Sequence, residues 1–320
     1  MDPGETGTAC SRRAFVAGGL CGAVTLALGR GAIAGEGPAV PAATPILRRI
    51  PATGEQLPVI GLGTNTFGAS DPVGYEARRD VLKKMPELGG KVVDTARGYG
   101  DSEVVIGRAL KELGNRDRLF LASKTPMGGD VSGGRSVVEE SFRRLQVGVI
   151  DLMQVHNLHG LDELMPVLLE MKAEKRIRYV GMSTSFDSQY GDFLAGLARH
   201  PVDFLQVDYS IADRSAAERI LPFAQDKGIA VLINMPFGGR RSGNLFPKVR
   251  DRPLPDWAAG AGIGSWAQFF LKYVVSHPAV TCAIPGTTKV VHLADNLGAG
   301  RGPLPDADLR RRMEAYWDAI

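Results

Sequence analysis

The chain has 320 residues, 44% of them hydrophobic and 23% charged, which is enough apolar material for a large buried core. Its formal net charge is only +3, which leaves no electrostatic argument for a nucleic-acid partner. The basic pairs Arg78-Arg79, Lys83-Lys84 and Arg143-Arg144 fall inside predicted helices and read as solvated faces.

At the amino terminus, Ser11-Arg12-Arg13-Ala14-Phe15-Val16 precedes a Gly/Ala-rich apolar run to Leu28. Ala32-Ile33-Ala34 then offers the small-x-small pattern that a signal peptidase cuts. The arrangement resembles a twin-arginine export signal. It implies a signal peptide over 1–34 cleaved after Ala34, the twin-arginine translocase as a partner during export, and a periplasmic or exported mature chain. Glycines and Arg30 interrupt the run, which falls short of the ~20 apolar residues of a membrane span, so no stable span is expected after cleavage. Cys21 follows Leu20 rather than a small residue, against a lipoprotein site. Losing residues 1–34 removes Cys10 and Cys21, so Cys282 stands alone and an intramolecular disulfide is impossible. Residues 35–45 read as a Pro/Ala linker.

Next, Ile46–Ile50 and Gln56–Pro58 flank Ala52-Thr53-Gly54 as a small hairpin would. After it, strand-like runs come at Val59–Leu62, Lys91–Asp94, Arg118–Lys124, Asp151–His156, Arg178–Ser183, Phe204–Asp208, Ala230–Ile233 and Val280–Ile284. Amphipathic helical stretches separate them near 75–88, 102–113, 135–146, 161–176, 188–199, 214–227 and 264–276, with one more at 289–298. A strand–helix unit repeated eight times predicts an α/β fold, the (β/α)8 TIM barrel, over 46–320. Asp306–Asp318 is an extra carboxy-terminal helix with Trp317 as its anchor. A doubly wound sheet is the competitor. However, Gly61-Leu62-Gly63 is followed by no glycine until Gly68, so the Gly-x-Gly-x-x-Gly fingerprint is missing, and no Walker-type loop occurs.

Barrels carry their chemistry at the carboxyl ends of strands, and several predicted ends are polar. Asp94 closes the second run, and Tyr99 follows on a loop with Gly98 and Gly100. Lys124 closes the third, His156-Asn157 the fourth, and Gln206 lies near the end of the sixth. Each has a bland account alone: a strand cap, a packed loop tyrosine, a surface lysine, a satisfied core histidine. Together they bring an acid, a phenol, an ammonium and an imidazole to one face.

The ordered set Gly61-Leu62-Gly63-Thr64, Asp94-Thr95-Ala96-x-x-Tyr99-Gly100, Ser123-Lys124, Gln154-Val155-His156-Asn157, Val180-Gly181-Met182-Ser183, Gln206 and Ile284-Pro285-Gly286 resembles the aldo-keto reductase family. The resemblance covers nearly all of the chain after residue 46. It implies a catalytic tetrad of Asp94, Tyr99, Lys124 and His156, and reduction of an aldehyde or ketone. It implies NADP(H) as cofactor, NAD(H) being the alternative. Thr64 and Asn65 would lie along the cofactor, Ser183, Thr184 and Gln206 would hold its carboxamide, Lys289 would serve the adenosine end, and Asn234 and Asn296 are further cofactor-binding positions. Three positions depart from the family pattern. Thr184 replaces an asparagine, Asn234 replaces the aromatic that stacks on the nicotinamide, and His292 replaces an arginine, leaving Lys289 as the firm charge near a 2′-phosphate.

Phe67, Phe246 and Trp257 are candidate pocket walls, and the Gly/Pro-rich, basic stretch from Gly238 to Gly262 is a candidate binding loop. His156 and His159, with Asp162 and Glu163 beyond, suggest a metal site, but the pair crosses a strand end and no thiolate joins it, so no metal is expected. Two other classes stay open. One is a regulatory or sensing barrel that binds the cofactor with little turnover, and the other is an exported metal-dependent hydrolase on the same fold.

Overall fold

The computed structural model describes residues 44–69 and 71–320. The expected signal peptide and most of the linker lie outside them. The described chain opens with an antiparallel hairpin of β1 (Leu47–Arg49) and β2 (Gln56–Pro58), in the register Leu47↔Pro58. Eight parallel strands follow: β3 (Leu62–Gly63), β4 (Val92–Asp94), β5 (Phe120–Lys124), β6 (Ile150–Val155), β7 (Ile177–Ser183), β8 (Phe204–Asp208), β9 (Ala230–Asn234) and β10 (Cys282–Ala283). They pair in chain order, and bridges from Ile60 to Ala283 and from Gly63 to Gly286 complete the ring. The architecture is a (β/α)8 TIM barrel.

The seam where the ring closes depends on Gly63. A Cβ there would sit 2.5 Å from the Ile284 carbonyl oxygen, too close for any side chain. The seam also moves the first strand from its expected place. Ile60 turns to pair with Ala283, so only Leu62 and Gly63 are left to pair with β4.

Between the strands run α1 (Pro72–Glu87), α2 (Ser102–Leu113), α3 (Arg135–Leu145), α4 (Leu161–Ala173), α5 (Tyr190–Arg199) and α6 (Ala216–Lys227). A short α7 (Phe246–Val249) interrupts the long connection after β9, and α8 (Trp266–Val275), α9 (Val290–Gly298) and α10 (Ala307–Ala319) complete the chain. The starts of three helices follow local chemistry. Asp71 caps α1 through the Gly74 amide with Pro72 behind it, and Ser265 and Asp306 cap α8 and α10 in the same way. Sequence reading missed α7, whose four residues are too few to show a period. It also extended the third strand back to Arg118, whereas Arg116–Arg118 form a 3-10 turn held by the Arg116 guanidinium on Leu119 O and Asp151.

The hairpin plugs the barrel at the end opposite the carboxyl termini of the strands. Its Ile50 and Leu57 share a buried cluster with Phe120, Phe204 and Ala230, which open β5, β8 and β9. Glu55 bonds Lys91 at 2.9 Å, Arg178 at 2.5 Å and Tyr179 at 2.9 Å. Arg48 donates to the carbonyls of Val275 at 2.9 Å, His277 at 2.7 Å, Pro278 at 3.2 Å and Val280, where α8 ends and the path to β10 begins. At the other terminus, Trp317 anchors α10, its ring meeting Phe270 edge-on at 5.5 Å. Among the described residues no helix is long and apolar enough to cross a membrane.

Candidate active site

The four residues expected to do chemistry meet at the carboxyl end of the barrel. Strand register accounts for this. Asp94 ends β4 opposite Ala122, Lys124 ends β5 opposite Gln154, and His156 follows the last residue of β6, so the register steps them by two residues from strand to strand and keeps them on one face. Tyr99 is brought over them by a tight loop in which its amide bonds Ala96 O at 3.1 Å.

Lys124 and Asp94 are almost wholly buried, and the Lys124 Nζ donates to Asp94 Oδ2 at 2.5 Å and to Thr95 O at 2.8 Å. Burial alone would lower the lysine pKa, but the Asp94 carboxylate and the Tyr99 phenol outweigh it and hold the ammonium above its usual value. The same Nζ lies 5.1 Å from the centre of the Tyr99 ring. His156 meets that ring edge-on at 5.9 Å. Burial first, then the nearby Lys124 charge, push His156 down to about 3, so its imidazole is neutral at physiological pH. Its Nδ1 is buried without a partner, while its backbone amide bonds Thr125 Oγ1 at 3.2 Å. Asn157 and Leu158 follow with φ of 50° and 62°, a strained pair of left-handed residues immediately after the histidine.

A cavity of about 280 Å³ opens above the four, lined also by Gly63, Thr64, Asn65, Asn157, Ser183 and Asn234. Its outer wall is Met235 to Gly238, of which the expected binding loop includes only Gly238 although the wall continues directly from β9. Phe237 and Gly286 pass from this cavity into a second cleft of about 390 Å³, lined by Phe246, Trp266, His292, Asp295 and Asn296. The segment after β9 is tied across to the segment after β7. Arg241 pairs with Asp187 at 3.2 Å, and the Arg240 guanidinium stacks 4.1 Å from the Phe186 ring centre.

Some expected binding residues do not face the cavity. Thr184 spends its hydroxyl on Gln189 Oε1 at 2.7 Å and accepts from the Phe186 amide. Gln206 turns inward, donating to Asp94 Oδ2 at 3.4 Å and accepting from Gln154 at 3.2 Å. Both lie behind the wall. Lys289 is exposed at the start of α9, outside the lining of either hollow. Of the suggested walls, Phe246 lines the second cleft, whereas Phe67 is fully buried core and Trp257 packs on Phe269 and Tyr316. His159 reaches away to the Gly129 carbonyl at 2.8 Å. Among the described residues no three His, Cys, Asp or Glu side chains converge on a point that would hold an ion.

A parallel barrel with a phenol set over a buried lysine–carboxylate pair at its carboxyl end is a frame suited to acid–base chemistry. Residues 59–316 match the model of the aldo/keto reductase family, and the chain belongs to that family. Aldo-keto reductase YhdN of Bacillus subtilis is 32% identical over 57% of this chain and 59% of its own length. Methylglyoxal reductase YeaE of Escherichia coli is 28% identical over 81% of this chain and 91% of its own. A solved aldo-keto reductase from Klebsiella pneumoniae in complex with NADPH superposes with a TM-score of 0.70 at 26% identity, covering 86% of this chain and 95% of that one.

Proposed function

We propose that this chain reduces an aldehyde or ketone to an alcohol with NADPH, Tyr99 acting as proton donor with Lys124, Asp94 and His156 in support. The observation that carries this reading is the buried Lys124–Asp94 pair beside Tyr99 at the floor of an open cavity. A lysine so deep is retained at a cost unless its charge is used, and here that charge lies beside the one phenol lining the cavity.

The residues present fit a nicotinamide dinucleotide. The cavity at the tetrad adjoins the second cleft across Phe237 and Gly286, so an elongated ligand laid over both would have its reactive end at Tyr99 and its distal end near His292 and Asn296. Gly63, Gly238 and Gly286 leave stretches of the wall bare of side chains. His292 on the wall, with Lys289 at the start of α9, supports NADP(H) over NAD(H). The bound cofactor supplies the hydride, which no side chain can.

Tyr99 gives its hydroxyl proton to the carbonyl oxygen as the alcohol forms. The Lys124 ammonium stabilises the phenolate that remains, and Asp94 keeps that ammonium charged in a dry site. The neutral His156 orients the same oxygen through a ring N–H and adds no second positive charge beside Lys124.

The test is a panel of carbonyl compounds with NADPH absorbance as the readout, and the name of the Escherichia coli relative makes methylglyoxal the first to try. Failure to oxidise bound NADPH in a stopped-flow single turnover would overturn this reading in favour of a sensing barrel. Export through the twin-arginine route rests on Ser11-Arg12-Arg13 and Ala32-Ile33-Ala34. Its test is cell fractionation of the full chain against the variant carrying Arg12→Lys and Arg13→Lys, and equal distribution of the two would refute it.

A further inference from the structure

We infer that Asn234 binds the carboxamide of the nicotinamide, its Oδ1 accepting a hydrogen bond from the carboxamide nitrogen. This rests on the NADPH reading above. It gives the carboxamide a partner on β9 in place of the side chains that turn away from it.

Asn234 is the last residue of β9, held by its pairing with Asp208 on β8, and it lines the cavity that holds Tyr99. Its Nδ2 donates to the Thr184 carbonyl at 3.3 Å. That bond decides which end of the amide is which, because the opposite flip would set two oxygens against each other. The oxygen therefore points the other way, and it is buried with no partner. A buried amide oxygen left unpaired is costly, and a site keeps one where a ligand brings the donor.

The three side chains expected to hold the carboxamide are already committed. The Thr184 hydroxyl belongs to Gln189, and the Gln206 amide lies between Gln154 and Asp94. The Ser183 hydroxyl donates to Val155 O and accepts from the Asn157 amide, both at 3.3 Å. The other unpartnered buried side-chain atom on this cavity is His156 Nδ1, which belongs to the substrate side beside Tyr99. A primary carboxamide carries two N–H donors and so matches this buried, unpartnered acceptor.

The experiment titrates the full-length protein calorimetrically with NADP+ and with its 3-acetylpyridine analogue, in which a methyl group replaces the carboxamide nitrogen and the carbonyl is kept. The unsubstituted protein should bind NADP+ roughly tenfold more tightly, the scale of one buried hydrogen bond. In Asn234→Leu, NADP+ affinity should drop to that of the analogue, whose own affinity stays put. Adenosine 2′,5′-bisphosphate, which has no nicotinamide, reports whether the variant is folded, and Asn234→Ala carries the same test if Asn234→Leu is not. A preference for NADP+ that survives in both variants overturns the inference, as does its loss in Ser183→Ala alone. An unsubstituted protein that binds both nucleotides equally also overturns it. One that binds neither brings down the NADPH reading as well.

Discussion

Tyr99 and Lys124 make opposite demands on a mutation. Tyr99→Phe keeps the ring against His156 and removes only the acidic proton. Carbonyl reduction should fall ~10²–10⁴-fold, with NADPH affinity by fluorescence titration unchanged. Lys124→Met leaves the Asp94 carboxylate buried without its counter-charge, which should cost about 3–5 kcal/mol in urea denaturation. Adding Asp94→Asn should recover most of that stability without restoring activity; a double variant as unstable as the single one would contradict the pairing. The convergence of Asp94, Lys124 and His156 was legible in the chain because each sits at or just after a strand end, where position is set by register, whereas Tyr99, five residues beyond β4, is placed by its loop. The inward turns of Thr184 and Gln206 were not legible. They depend on Gln189 and Gln154, partners supplied by other elements and invisible to a motif.

At the scale of elements, the barrel is held at its seam and its plug. Gly63→Ala would drive a methyl group into the Ile284 carbonyl and open the join between β3 and β10. It should lower stability by about 1–3 kcal/mol, and weaken NADPH binding too, since Gly63 also lines the cavity. Arg48→Met removes the donor that gathers the carbonyls after α8, far from the chemistry. A loss of about 2–4 kcal/mol with kcat intact is expected, measured by denaturation and steady-state assay. A fall in kcat comparable to the fall in stability would show that the plug reaches the site. Eight apolar runs alternating with amphipathic stretches made the barrel readable. The seam was not, because β3 and β10 have two residues each and their pairing is settled by closure of the ring rather than by local pattern.

For the molecule as a whole, a buried histidine and a half-buried one contribute to the response to acid. Burial, with Lys124 for His156 and with Arg310 and Arg48 for His277, depresses the two to about 3 and about 4, against 6.5 for an unperturbed imidazole. Below pH 6.5 the unfolded chain binds protons that the folded chain refuses, so stability falls as pH falls. His156 contributes up to about 1.4 kcal/mol per pH unit, ending near pH 3, and the half-buried His277, screened by solvent, contributes less, ending near pH 4. Melting temperature followed from pH 7 to pH 4 should drop accordingly, and His277→Asn should flatten the slope. The hairpin has a practical consequence at this scale. It closes the barrel floor, and Ile46 is bonded there to Gly300 just past the end of α9, on the side away from Tyr99. A resin or electrode coupled to an exposed residue of the hairpin turn, such as Ala52, would grip the protein by its base, with the cavity mouth facing outward to the solution. Coupling through the segment after β9 would instead seal the mouth against the support.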